Sequence, residues 1–377
     1  MSGGKVRGVT GPAPFEQVDT PTLLLDLDVI ERNIAEMAGV ADTAGVRLRP
    51  HTKTHKSPEI AAMQIAAGAH GLTVAKLDEA AVMADAGFDD LLVAFPIVGA
   101  LKLARLEALL ERAQIRVSLD TVEVGEALGV LGARRAIDIP VLVEVDTGLH
   151  RMGRAPGAAS ADLALQIARI PGIEVIGLLT HAGHAYRATD ADALRAAAVR
   201  EAEDLLDTAA RCARDGLELR EISVGSTPTA RVAAGVPGVT EIRPGTYVYN
   251  DVQQLRLGTA TLDTCAARVL VTVVARPTAE RFVVDAGSKA FSSDGEDGPP
   301  LPGRGVVLGR PDLVIDFLSE EHGVGHIEGG GDLAIGARLQ VIPLHVCSCI
   351  NLFDTALGIR GDRIDHPIVI AGRGRMH

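Results

Sequence analysis

From about residue 22 to residue 257, short β-branched apolar runs alternate with longer Ala-rich stretches whose apolar positions recur every three or four residues. The first pattern reads as strand and the second as amphipathic helix. The strand-like runs are residues 22–26, 47–50, 71–75, 91–95, 116–120, 141–146, 175–180, 221–225 and 241–247. Helical stretches lie between them at 57–68, 76–87, 102–112, 161–170 and 190–215, and several close on an Ala-Gly or Asp-Gly pair, as helix C-termini do. Repeated strand–helix alternation implies a parallel sheet. Eight or nine strands favour a closed (β/α)8 barrel of the TIM type over an open doubly wound sheet.

After residue 258 the texture changes. Runs 266–277, 281–286, 313–318 and 337–347 are rich in β-branched residues and joined by short Gly/Pro connections, with no long helix between them. This predicts an antiparallel β domain, with 292–304 as an exposed loop. The expected organisation is therefore an α/β barrel over 20–257, followed by a β domain built from 1–19 and 258–377.

Composition narrows the functional classes. With 377 residues, 47% of them hydrophobic, the chain can bury the cores of two domains. Charged residues make up 23%, and no apolar stretch approaches the roughly 18 residues of a membrane helix. Residues 1–17 contain Gly and Pro and no apolar signal core, which points to the cytoplasm. A formal charge of −12 argues against nucleic acid or an anionic membrane as partner and leaves a small molecule. Four cysteines are no disulfide framework at this length; Cys212 and Cys265 read as buried small hydrophobes.

In such a barrel the chemistry sits where strands end. Lys53 leaves the second strand within Arg49-Pro50-His51-Thr52-Lys53-Thr54-His55-Lys56, where neighbouring cations can depress its pKa and make it a nucleophilic amine. Asp146-Thr147-Gly148 delivers Arg151 to the same rim, a permanent cation for a carboxylate or a ring nitrogen. His181 and His184 follow the next strand with Tyr186, as acid–base or substrate-holding groups. Gly225-Ser226-Thr227 and Gly245-Thr246-Tyr247 are small-residue turns at late strands, the usual phosphate position. In the β domain, His345 and Cys347 at i and i+2 on a strand would share one face and one metal, with open positions for water and substrate.

Seven motifs in order resemble the D-threonine aldolase and D-serine dehydratase family, relatives of alanine racemase among the fold-type III pyridoxal-phosphate enzymes. They are the Lys53 cluster, Leu72–Lys76, Val145–Gly148, Val224–Thr229, Arg243–Tyr247, Val284–Lys289 and Leu318–Gly323. The resemblance implies that Lys53 holds pyridoxal 5'-phosphate as a Schiff base and that Arg151 faces the pyridine nitrogen. It also places the phosphate on Gly225, Ser226, Thr227 and the Gly245-Thr246-Tyr247 turn. It further implies a divalent metal, Zn or Mn, on His345 and Cys347, and a homodimer whose β domain completes the partner's site. The substrate implied is a D-3-hydroxy amino acid. Retro-aldol cleavage of a D-threonine-type substrate to glycine and an aldehyde is favoured, with His181 or His184 taking the hydroxyl proton. Dehydration of D-serine or D-3-hydroxyaspartate is the alternative, and Cys347 matches the dehydratase pattern where the aldolase pattern has Asp. A racemase would want a Tyr from the β domain, yet the only three Tyr are Tyr186, Tyr247 and Tyr249. A non-catalytic cofactor carrier would lack the second domain.

Overall fold

The structure, a computed structural model, describes residues 15–295 and 298–377. Its first strand, β1 (Thr22–Asp26), is the one apolar run of the N-terminal alternation that the barrel does not use. The barrel strands are β2 (Arg47–Leu48), β3 (Leu72–Val74), β4 (Asp90–Val93), β5 (Gln114–Leu119), β6 (Ile139–Glu144), β7 (Ile173–Leu179), β8 (Glu221–Val224) and β9 (Glu241–Ile242). They are parallel, in the order β2-β9-β8-β7-β6-β5-β4-β3. Thr73 N donates to Pro50 O and His70 N to Leu48 O, both at 2.8 Å, so the two outer strands meet and the sheet closes.

The second domain holds β10 (Ala267–Ala275), β11 (Arg281–Val284), β12 (Gly305–Val307), β13 (Leu313–Leu318), β14 (Gly323–Ile327), β15 (Arg338–Pro343), β16 (Thr355–Arg360) and β17 (Arg363–Val369). Its sheet runs β11-β14-β13-β12-β15-β10-β1-β16-β17, and β11 also pairs with β10, which rolls six strands into a small barrel. Beyond β10 the sheet continues through β1, antiparallel to β10 and parallel to β16.

The expected boundary at residue 20 therefore moves to Leu27. The reason is that β1 is buried on both faces. Leu23 and Leu25 enter the main core, while Leu24 packs with Phe15, Val18, Leu270 and Ile359. A strand covered on both sides has the same sequence signature in either domain. Asp26 ends the strand and caps the helix Leu27–Ala44, accepting from Val29 N at 3.2 Å, and that helix packs on the barrel. Phe15 and Val18 pack on the β domain; the rest of the arm, 1–14, lies outside the described residues, as do 296–297 of the 292–304 loop. The 337–347 run also differs. It ends as a strand at Pro343, and His345 opens the short helix Val346–Ile350.

Beneath the barrel mouth, Arg49 is fully buried with its Nε 2.8 Å from Glu241 Oε2 and its Nη1 2.8 Å from Asp90 Oδ1. A Cβ on Gly71 would lie 2.2 Å from that Nη1, so only glycine lets the guanidinium cross the seam. Replacing Arg49 by Met takes the close ion pair from fully buried Glu241 and leaves it the longer contact with Arg47 at 3.9 Å, which should lower unfolding free energy by about 3 kcal/mol. The same change at Arg220, exposed beside Glu174, should lower it by about 1 kcal/mol or less. Urea unfolding of both variants checks the contrast.

Candidate active site

Eight of the sequence-predicted residues line one cavity of about 420 Å³ at the C-terminal ends of the barrel strands. Lys53 comes from the loop after β2, Arg151 from the loop after β6 and His181 from the end of β7. Gly225, Ser226 and Thr227 follow β8, and Gly245 and Thr246 follow β9. His51, Glu144, Tyr186 and Arg243 line it as well. Their signal in the sequence was their place at or just past strand ends.

Burial lowers the Lys53 amine below the usual lysine range; the Cys347 anion opposes this and Arg151 adds to it. Burial, with Lys53 beside it, also takes His181 down to about 3. His181 donates from Nδ1 to Gly225 O at 3.0 Å, which leaves the Nε2 lone pair unshared. Arg151 is half exposed at the rim, its Nη2 3.7 Å from Glu144 Oε1. Arg243 is buried, donating to Ser223 Oγ and Thr180 O at 2.5 Å each.

The turn after β8 is shaped for an anion. Gly225 has φ +146°, and a Cβ there would lie 2.7 Å from Arg243 N. Ser226 precedes the helix Thr227–Ala234 but does not cap it, because its hydroxyl bonds Thr229 Oγ1 at 3.0 Å. The first-turn N–H groups of that helix are thus left for a ligand. An amine of lowered pKa, a helix N-terminus and two guanidinium groups fit the aldehyde and phosphate of pyridoxal phosphate.

Two predicted residues stand apart. His184 packs its ring against Gly148, 3.2 Å from where a Cβ would be, and does not line the cavity. Tyr247 points its phenol away from it. There the hydroxyl accepts from Gln64 Nε2 (3.0 Å), and Gln64 Oε1 takes the Nε2–H of buried His55 at 3.1 Å. Only its backbone N–H reaches the cup, donating to Thr227 Oγ1 at 3.1 Å.

The His345–Cys347 pair sits at the mouth of this chain's own barrel. Cys347 Sγ is hydrogen-bonded to Thr54 Oγ1 at 3.1 Å and Thr246 Oγ1 at 3.7 Å. His345 Nδ1 is 2.7 Å from Asp294 Oδ2, so Nε2 is the nitrogen offered towards Cys347. Burial alone would raise the thiol, but the His345 hydrogen bond and charge, with Lys53, hold it below the usual thiol range. The two side chains meet through the first turn of a helix, not through the strand alternation expected. Among the described residues no third His, Cys, Asp or Glu joins them. An oriented imidazole beside a thiolate suits zinc with open positions.

A lysine-bearing barrel mouth faced by a β domain with an imidazole–thiolate pair defines a class, the alanine-racemase-like pyridoxal-phosphate enzymes. Residues 25–253 match the alanine racemase N-terminal domain, and residues 266–359 match a putative serine dehydratase domain. The chain is 36% identical to the D-threo-3-hydroxyaspartate dehydratase of Delftia sp., over 88% of this chain and 91% of that protein. Solved forms of that dehydratase include a cysteine-to-alanine mutant in a metal-free form. It is 34% identical to the D-threonine aldolase of Arthrobacter sp. over 99% of each. Its backbone matches the crystal structure of D-threonine aldolase from Filomicrobium marinum with a TM-score of 0.87 at 32% identity, over 95% of this chain and 97% of that one. The chain belongs to the D-threonine aldolase and D-serine dehydratase family of fold-type III enzymes, which use pyridoxal phosphate.

Behind the phosphate cup lies Glu201, fully buried on the helix Ala191–Arg214, a residue the sequence did not single out. Burial raises its carboxyl to about 7, partly offset by Thr229 and Arg243. The folded protein thus binds a proton there that the unfolded chain releases above about pH 4.5. Its contribution to stability is present below that pH and is lost as pH rises to about 7. Glu201→Gln should match the parent near pH 4.5 and exceed it by up to about 3 kcal/mol at pH 8, read by denaturant unfolding at both pH values.

Proposed function

We propose that the chain is a pyridoxal-phosphate and metal-dependent lyase of D-3-hydroxy amino acids, and that it acts by dehydration, releasing ammonia and a 2-oxo acid. The observation that carries this is the place of Cys347, hydrogen-bonded to Thr54 beside Lys53. It supports dehydration, the alternative in the sequence reading, over the retro-aldol cleavage preferred there. Dehydration needs a base at Cα and help for the departing β-hydroxyl in the same chamber. Here one loop, 53–54, carries the base and touches the ligand of the metal.

The residues divide the work as follows. Gly225, Ser226, Thr227 and Thr246 would hold the phosphate, with Tyr247 fixing Thr227 from behind. Arg151 would face the ring nitrogen and leave it unprotonated, while buried Arg243 adds a second fixed cation. When bound, the cofactor supplies an electron sink at Cα. Lys53 would carry the cofactor and, freed as an amine of lowered pKa, take the Cα proton. His345 and Cys347 would hold zinc or manganese, whose chemistry there is to stabilise charge on the β-hydroxyl oxygen. Retro-aldol cleavage is the second reading, favoured by the unshared Nε2 of His181, which can accept a hydroxyl proton. His184, outside the cavity, has no part in either.

The resemblance also carries a homodimer and a cytoplasmic location. Among the described residues no helix is long and apolar enough to cross a membrane. Light scattering tests the dimer.

Product analysis tests the reaction. The purified protein, loaded with pyridoxal phosphate and zinc, is given D-serine, D-threonine and D-threo-3-hydroxyaspartate separately, with L-forms as controls. Ammonia with a 2-oxo acid is expected; glycine with an aldehyde would replace dehydration by the retro-aldol reading. Lys53→Ala should abolish the near-visible absorbance of the bound cofactor. Chelation should leave that absorbance and lower turnover by about 100-fold or more, with zinc restoring it.

A further inference from the structure

The turn that leaves the barrel holds a buried carboxylate with two jobs. Asp251 precedes the short helix Val252–Arg256, and its Oδ1 accepts from Gln254 N at 3.0 Å. Its Oδ2 accepts from Val346 N, also at 3.0 Å. Val346 is the residue between His345 and Cys347. The helix Val346–Ile350 receives no cap from its own leading side chain, His345, so Asp251 supplies that cap from 95 positions away.

The geometry points to Asp251 as the positioning residue of the metal pair: a carboxylate of the barrel that fixes the backbone between His345 and Cys347, and with it the directions of the imidazole and the thiolate. The inference rests on the proposal that this pair binds a metal. Two residues on either side of a third at the start of a helix can turn their side chains apart as easily as together. What selects the converging arrangement is a fixed peptide between them, and the N–H of that peptide is the group Asp251 holds. The carboxylate also joins the domains, since the metal pair belongs to the β domain and the Lys53 loop to the barrel. Only a carboxylate satisfies both donors. An Asn in its place offers one oxygen and one NH2, so one of the two N–H groups would face a donor.

Asp251→Asn is the test, read first as metal affinity. Zinc is competed from the pyridoxal-phosphate-loaded protein with a chromophoric chelator, and cobalt is substituted to read the thiolate charge-transfer band. Affinity should fall about 10- to 100-fold, the usual effect of losing a partner that orients metal ligands. The cobalt band should shift or weaken while the cofactor absorbance stays. Excess zinc should restore turnover, so that the metal concentration needed rises and the limiting rate does not. Asp190→Asn is the control. Asp190 caps the helix Ala191–Arg214 through Ala193 N at 2.8 Å, outside the site, and its loss should leave zinc affinity unchanged. Equal zinc affinity in Asp251→Asn and the parent would overturn the inference alone. So would equal losses of affinity in both Asn variants, because the effect would then be general destabilisation. A parent protein that binds neither zinc nor cobalt would instead remove the metal reading, and this inference with it.

Discussion

The barrel closes at its weakest point through a buried charge. Its outer strands, β2 and β3, are two and three residues long, so the seam between them offers few backbone bonds. Arg49 spans the gap from the residue after β2, reaching Glu241 on β9 and Asp90 on β4. Full burial of Arg49 and Glu241 is unfavourable unless both are paired, and here they pair with each other while half-buried Asp90 takes the other end of the guanidinium. The lysine loop starts one residue later. Its turn is held by Lys56 N donating to Thr52 O at 2.7 Å, and its far end by Gly372 N donating to Lys56 O at 2.8 Å. Lys53 thus stands between the barrel seam and the end of the β domain.

The same loop is where the two domains exchange chemistry. The chain enters the barrel from the β domain at Asp26 and returns to it near Cys265, so the domains are joined twice by covalent chain. Thr54 and Thr246 from the barrel both touch Cys347 from the β domain. The cavity between them is rich in cations although the chain is acidic overall. Lys53, Arg151 and Arg243 face one another there, with Glu144 as the acid among the lining residues, its own pKa raised by burial. Burial and the neighbouring cations lower the Lys53 amine below the usual lysine range and keep the imidazoles of His51 and His181 neutral. An anionic cofactor and an anionic substrate supply the missing counter-charge, which is why an acidic surface does not oppose an acidic ligand.

Most of this was legible in the sequence. Eight of the nine strand-like runs are barrel strands, and residues at their ends converge as alternation in a parallel barrel requires. The misplacement of β1 came from a signal that periodicity cannot resolve, a run buried on both faces. The helix Val122–Arg135 carries a weak periodic signal because three glycines dilute its apolar face. Two of them, Gly129 and Gly132, let the loop at Pro171 and Gly172 approach its backbone. His345 and Cys347 lie together through a helix turn and not through the strand alternation that the sequence suggests. The neighbours of Tyr247 suggest a phosphate ligand, whereas its phenol is held by a long-range bond from Gln64 that no local pattern announces. Asp251 and Glu201 have partners distant in sequence and no motif at all.

The account stands or falls on one placement, a metal held by this chain's own His345 and Cys347 in front of its own Lys53. Anomalous diffraction across the zinc edge, from crystals grown with zinc and pyridoxal phosphate, measures it directly. The expected result is one peak per chain, about 2.3 Å from Cys347 Sγ and about 2.0 Å from His345 Nε2, open towards the cavity. A peak bound elsewhere, or bound between the β domain of one chain and the Lys53 loop of another, would contradict it.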